Sequence, residues 1–515
     1  ELADLYPDRL SSLPGDFGFI RFRANGGATV VRSCGGLVPF YLGRFGSRFA
    51  ISTRLGDFVR YLPDEPQLDP LVNAIWASGW PTFPDGKTFL KGVSILGRGR
   101  FARIEDGLKM TIESYWKPRP RRVGYPTQSV AHEHAECLRT LLIEKLMRDL
   151  DPDGGNLLTL SGGVDSSSLA ALAAGTVEFP IWIWSLLPSK EHKGALQHER
   201  SYIDPLAERY GIKQRWEVFY HDRLVFELWR AAPRIVFHVL HPALCSLPGI
   251  IREAPVKVLF GGEYADKVCG SVFTVPDWAT HTSLIRLLIN LRTLSKGPKD
   301  LVRWAKHRLA ILLRRPILPV PKGLLQSSRT DGKPFEFFDP EVQEEYNAWY
   351  ERQRLNFMGD REPWRYLALE STIMDGFVPM NWEACSALGI RRSFPFFTRE
   401  VFELAFECHP VELYGPGTKK LIRSALKDDV PERNLWRPDK GMGRWASQAR
   451  SDFAKSARSW QEPFPEEPLP EELRGTVKEE WFTDPPRELE YWQYRPLTRL
   501  LIFIESLRGR RKERR

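Results

Sequence analysis

One stretch, "LLTLSGGVDSSSLAALAAG" (157–175), limits what this chain can fold into more than any other. Its apolar start is too short for a helix and reads as a buried strand, while its alanine-rich end reads as a helix. Between them lies Ser161-Gly162-Gly163-Val164-Asp165-Ser166, a small polar loop. A loop that leaves a strand and opens a helix sits where parallel sheets bind ligands. Glycines there admit close approach to the backbone, and free N–H groups at a helix start suit an anion. The lysine pattern GxxxxGK[ST] is absent, and so is GxGxxG, which excludes a P-loop NTPase and a dinucleotide-binding turn.

The flanking sequence repeats the alternation. "AHEHAECLRTLLIEKLMRDL" (131–150) has helical spacing and stops at "DPDGG"; "PIWIWSLL" (180–187) and "VKVLFGG" (256–262) read as buried strands, and "QHERSYIDPLAERYG" (197–211) as a helix. The expected fold class is therefore α/β, with a doubly wound parallel sheet covered on both faces. Residues 365–430 read as mainly helical. Residues 1–115 differ: short alternating runs such as "FGFIRFRA" and "RFAIST", punctuated by Gly and Pro, predict antiparallel β structure. The Pro-rich basic stretch 115–126 makes a linker, so two domains are expected, 1–125 and 126–515, as the length of 515 residues also suggests.

Composition narrows the class. At 42% hydrophobic and 27% charged residues the chain reads as a globular protein, and it has no apolar run long enough to span a membrane. The opening "ELADLYPDRL" lacks the basic start and apolar core of a signal peptide, so a cytoplasmic location is expected. Six cysteines are scattered without a CxxC pair, which argues against a disulfide framework or a zinc site. The formal charge of +9 is uneven: residues 292–322 carry nine Lys/Arg against one Asp, and the tail 508–515 six against one Glu. The body that remains is mildly acidic, so nucleic acid is not an expected partner. The basic segment, an insertion at about 290–325, and the tail read as local docking surfaces.

Asp165 sharpens the reading of the loop. A carboxylate in a phosphate cradle repels its ligand unless a cation bridges them, and Mg²⁺ is the usual bridge. A second oxygen donor is then expected on a neighbouring strand end, and "VLFGGEYADKVCG" (258–270) supplies Asp266. Asp165 and Asp266 are the expected metal ligands.

These residues carry a resemblance. SGGVDS is similar to the SGGxDS motif of the ATP pyrophosphatases, which cut ATP between its α and β phosphates. "FGGEYADK" resembles the SGEGADE segment of their asparagine synthetase branch. The resemblance implies that Leu160, Ser185, Gly261 and Gly262 hold adenosine, while Ser161, Gly162, Gly163, Val164, Asp165 and Ser166 hold pyrophosphate. The segment 391–442 resembles the C-terminal part of the same branch, with Lys419, Arg423, Arg437 and Lys440 on its basic positions. Lys419 or Lys420 would neutralise departing pyrophosphate, and Lys440 would stabilise the charge that develops as an acyl-adenylate forms and is attacked.

"LPGDFGFIRFRA…GGLVPFYLGRFGSRFAISTRLGDFVRYL" resembles the glutaminase domain of those synthetases, an Ntn-type β-sandwich whose nucleophile is an N-terminal cysteine. This sequence begins at Glu1 and its first cysteine is Cys34. The expectation is a degenerate glutaminase-like domain lacking its Cys nucleophile, with the nitrogen nucleophile arriving on the substrate. Arg391 also stands four residues before Pro395, where asparagine synthetase usually has Glu. The members without a working glutaminase are β-lactam synthetases, carbapenam synthetases and lasso-peptide cyclases. The chain most resembles the cyclases, because of its size and its basic insertion. Such an enzyme adenylates an Asp or Glu side chain of a precursor peptide with ATP and Mg²⁺. The core peptide's N-terminal amine then attacks to close a macrolactam (isopeptide) ring. Its implied partners are the precursor peptide (leader plus core), a leader peptidase and a leader-recognition protein. Glu383, in "NWEACSALGI", is the expected base for the amine, with Glu370 behind it. Two other readings remain: a small-molecule amide or β-lactam synthetase, and a tRNA-modifying ATP pyrophosphatase.

Overall fold

The alternating runs near the start of the chain become two antiparallel sheets in the computed structural model. It describes residues 7–219, 242–270, 337–359, 373–437 and 469–484, apart from short breaks at 25, 62–66, 79–81, 106–108, 119–122, 177–178 and 416, together with helical positions 500, 501, 504 and 508. Lys440, Glu370, the basic segment 292–322 and the tail beyond Arg508 lie outside the described residues.

After a short helix α1 (Pro7–Ser12), the chain lays down β1 (Gly18–Phe22), β2 (Ala28–Arg32), β3 (Tyr41–Phe45) and β4 (Arg48–Ser52). Helices α2 (Leu55–Tyr61) and α3 (Pro70–Ala77) follow, then β5 (Val93–Ile95), β6 (Arg100–Ile104) and β7 (Met110–Ser114). One sheet has the order β1-β2-β6-β7 and the other β4-β3-β5, with antiparallel pairing throughout. Val30 and Ala102 from the first sheet share an apolar cluster with Leu42 from the second, as period-two alternation requires of two facing sheets.

Beyond Thr127, whose side chain accepts from the Val130 N–H, runs α4 (Gln128–Asp149). There follow β8 (Asn156–Thr159), α5 (Val164–Thr176), β9 (Ile181–Leu187), α6 (Lys193–Arg209), β10 (Arg215–Phe219), α7 (Pro242–Glu253), β11 (Val258–Phe260) and α8 (Ala265–Val268). The last part carries α9 (Pro340–Gly359), α10 (Ile373–Ala387), β12 (Arg391–Ser393), α11 (Arg399–Glu407), α12 (Pro410–Leu413), α13 (Lys420–Ala425) and α14 (Glu432–Leu435). Strands β8 to β12 form one parallel sheet of order β10-β9-β8-β11-β12. Successive strand residues part to opposite faces: Leu158 and Phe260 join the apolar cluster of α4, α5 and α6, and Leu157 and Leu259 the cluster of α7 and α10. The second cluster also takes in Tyr41, Leu55 and Phe58, so the N-terminal sheets cover part of that face. Within 365–430 the expected helices are interrupted by β12, whose polar "RRS" becomes a strand by pairing with β11. Among the described residues no helix is long and apolar enough to cross a membrane.

A buried ionic knot joins the two parts. Lys145 on α4 lies 3.0 Å from both Asp16 of the N-terminal region and Asp149. Burial opposes the Lys145 charge, but the two carboxylates outweigh it and hold the ammonium above its ordinary pKa. Ser393 donates its hydroxyl hydrogen bond to Asp149, and the Ser393 carbonyl accepts the Gly261 N–H. Lys145→Ala leaves two half-buried carboxylates without their cation. It is expected to cost about 3–5 kcal/mol, read as a fall in urea midpoint at unchanged slope.

Candidate active site

In the five-stranded sheet the chain starts at the centre, runs outward through β9 and β10, and returns to the other side of β8 with β11. The strand order reverses between β8 and β11, the kind of switch point at which open parallel sheets bind ligands. Both candidate loops sit there: Ser161–Ser166 after β8, and Gly261–Asp266 after β11.

The first loop is held by its own groups. The Ser161 N–H donates to Ser166 Oγ at 3.1 Å, and Ser166 Oγ donates to the Gly163 carbonyl. Gly162 has φ +69°, and a Cβ there would stand 2.6 Å from that of Tyr202, so this position requires glycine. Gly262 answers from the second loop: its Cβ would lie 2.9 Å from the Asp165 carbonyl carbon and the Ser166 nitrogen. The two loops thus meet backbone to backbone, and that contact brings Asp165 near the turn bearing Asp266. Asp266 lies in the first turn of α8, after Tyr264, which is held at φ +72°. A non-glycine residue there costs roughly 1–3 kcal/mol, and such strain gathers at functional sites.

The charges converge on Asp165. Lys419, also left-handed at φ +65°, caps α13 and pairs with the Asp165 carboxylate through its ammonium. Arg423, one turn on, is half-buried; burial pulls its pKa down while Asp165 opposes that shift. Lys420 points elsewhere: its Nζ donates to the Val411 carbonyl, and burial lowers its pKa. Asp165 and Asp266 are hard oxygen donors on loops that touch, the donor type that suits Mg²⁺, which is usually held by one or two carboxylates plus substrate phosphates.

Further groups complete the site: Arg437 was expected from the resemblance, whereas Glu199, Asn434, Glu263 and Arg392 were passed over. Arg437 Nη2 donates to both carboxylate oxygens of Glu199 at 2.8 and 2.9 Å, both side chains buried, and its Nη1 donates to the Ser161 carbonyl. Asn434 donates to the carbonyls of Gly162 and Tyr202 and to Ser167 Oγ. The start of the segment leading to Lys440 is therefore bolted to the phosphate loop. Glu263, beside Gly262, pairs at 2.8 Å with Arg392, which is buried on Phe394 and also donates to the Leu259 carbonyl. The acidic position in "GGEYADK" was visible; its buried cation on β12 was not.

Other expected site residues are placed differently. Ser185 Oγ donates to the Leu160 carbonyl at 2.7 Å, tying β9 to the end of β8. Arg391 lies at the opposite edge of the sheet and pairs with Asp151. Glu383 is turned to the N-terminal region. Its Oε1 accepts the Leu55 N–H at 3.2 Å, and it faces Tyr41, whose ionisation is pushed well up by burial and then by this carboxylate.

Residues 138–501 match the family model described as asparagine synthase. No curated protein matches the sequence. Among solved structures, the U34-tRNA thiolase NcsA from Methanococcus maripaludis with its 4Fe-4S cluster is similar at 13% identity, over 51% of this chain and 87% of its own, with a TM-score of 0.21. A likeness this distant carries no argument.

Asp165→Ala and Asp266→Ala are each expected to lower ATP-dependent pyrophosphate release by about 10²–10³-fold, the cost of losing one preorganised electrostatic contact, with folding retained by circular dichroism. Glu383→Ala is expected to act on stability instead. It strips an acceptor from a buried N–H at a cost of about 1–3 kcal/mol, and turnover stays within a few-fold; a loss as large as that of Asp165→Ala would return Glu383 to the catalytic set.

Proposed function

The chain belongs to the asparagine synthase family, and on that premise we propose that it closes an isopeptide ring on a precursor peptide. ATP-dependent amide or C–N ligation is what the family implies. The observation that carries the adenylating part of the reading is the Asp165–Lys419 pair on the crevice between β8 and β11. Lys419 neutralises Asp165 without nucleotide; when ATP enters, the ammonium turns to the β and γ phosphates. Loop amides of Ser161–Ser166 and the Arg423 guanidinium take the remaining phosphate charge, and Leu160, Gly261 and Gly262 face adenosine. Mg²⁺ bound by Asp165 and Asp266 supplies charge neutralisation between the carboxylates and the phosphates.

A side-chain carboxylate of the peptide attacks the α phosphorus and pyrophosphate departs. The peptide's N-terminal amine then adds to the acyl-adenylate carbonyl, loses its proton to a base, and AMP leaves. Glu263 is the carboxylate on the catalytic edge suited to accept that proton, oriented by Arg392. Lys440 is the residue that the resemblance assigns to the charge that develops at the acyl carbonyl.

One feature favours a peptide over a small amino acid. The segment between α8 and α9 is long and contains the basic run 292–322, suited to an acidic leader or partner protein. The two-sheet region, which we read as glutaminase-like, holds Cys34 buried, its thiol pushed up to about 12 by that burial, so Cys34 is no nucleophile. In the proposed reaction the amine is carried by the substrate itself. Cytoplasmic work beside a leader peptidase and a leader-recognition protein completes the proposal. The test is incubation with ATP, Mg²⁺ and a leader-free core peptide, followed by mass spectrometry. Loss of one water with AMP and pyrophosphate release is expected; amide formation on a small amino acid, with every peptide left intact, would sink it.

A further inference from the structure

Away from the nucleotide crevice, His134 on α4, Cys408 at the end of α11 and Glu412 on α12 offer one donor atom each, all within 4.8 Å of one another. Cys408 and Glu412 are buried and His134 is half-buried. We propose that these three side chains form a site for a Zn²⁺-class transition metal, independent of the ligase chemistry.

The donors suit that class. A thiolate, an imidazole and a carboxylate are the ligands of Zn²⁺, whereas Mg²⁺ takes oxygen alone. One divalent cation with a thiolate, a carboxylate and a neutral imidazole makes a site of no net charge, which lowers the penalty for burying it. Metal entry displaces the thiol proton of Cys408, while the neutral His134 imidazole keeps its N–H on the nitrogen turned away from the ion, so binding releases a proton. Tetrahedral bonds of roughly 2.0–2.3 Å set neighbouring donors about 3.3–3.7 Å apart. The His134–Glu412 contact, 2.7 Å here, opens by under about 1 Å to admit the ion.

The surroundings hold these donors in place. Glu412 Oε1 accepts the His409 N–H at 2.7 Å, which leaves Oε2 directed at His134, the outer-contact arrangement that orients metal ligands. His409 Nδ1 in turn accepts the Val411 N–H and fixes the corner. Lys420 lies in electrostatic reach of Glu412 and competes with the cation for it. The fourth position is left to water or to Cys137, exposed and one turn along α4 from His134. An ion here would staple α4 to the corner preceding α13, the helix that presents Lys419.

Cobalt(II) titrated into the purified full-length chain, with no nucleotide, tests this. One ion per chain is expected, with thiolate-to-cobalt charge-transfer absorption that zinc abolishes and excess Mg²⁺ does not. Cys408→Ser should lose the band. His134→Ala should weaken binding by more than the roughly 10–100-fold that losing an outer-shell partner costs, and Asp165→Ala should change neither. Should buried Cys408→Ser fail to fold by circular dichroism, half-buried His134→Ala and Glu412→Gln carry the test. Absence of the band in the wild type, its persistence in folded Cys408→Ser, or unchanged affinity in both His134→Ala and Glu412→Gln overturns the proposal.

Discussion

Strands β8 and β11 lie side by side in the sheet although they are far apart in the chain, and the loops that follow them meet at the Gly262–Asp165 contact. A Cβ at Gly262 would drive the two backbones apart. That close approach lets a loop rich in amide N–H groups and a second aspartate act on one ligand, and the other site elements are arranged to keep it. Asn434 and Arg437 grip the first loop from α14, and Ser393 holds Gly261 from β12. Lys145 ties the same framework to the N-terminal sheets through Asp16 and Asp149.

The electrostatics follow from the same geometry. A half-buried carboxylate such as Asp165 is favoured by cations at hand, and Lys419 and Arg423, one turn apart at the start of α13, supply them. Under the proposed function the exchange of partners is cheap, because the phosphates of ATP bring the negative charge that the two cations turn to. Lys419 and Tyr264 both adopt left-handed backbones where the two loops face each other, so local strain is confined to the place where precise presentation of charge is needed.

Much of this was legible in the linear chain because the signals are local. The strand–loop–helix of 157–175 needs only apolar periodicity, glycine and a carboxylate, and its partner "GGEYAD" has the same local character. The helix at 128–149 and the strands at 156–159, 181–187 and 258–260 follow from the same patterning. Strand β12 was not legible: three polar residues have no strand propensity and adopt the conformation only because β11 offers a hydrogen-bonding edge. Charged side chains were the least readable. Arg391 and Arg392 are adjacent, yet one pairs with Asp151 at the far edge of the sheet and the other is buried against Glu263. Strand alternation separates them, and no pattern of charges announces which way each will point.

The sequence by itself determined the phosphate loop, the two aspartates, the alternation that makes a parallel sheet, and the family resemblance. Those features are written in contiguous residues and enforced by backbone sterics and apolar burial. Only the tertiary structure decided which partners the ionisable groups take. It gave Glu383 to the N–H of Leu55, Glu199 to Arg437, and Glu412 to His134 and the neighbourhood of Cys408. The hydrogen-bonded pairs among these join residues far apart in the chain. A buried charge is fixed by whatever polar group the packed elements bring within a few ångströms, and spacing along the chain does not encode that.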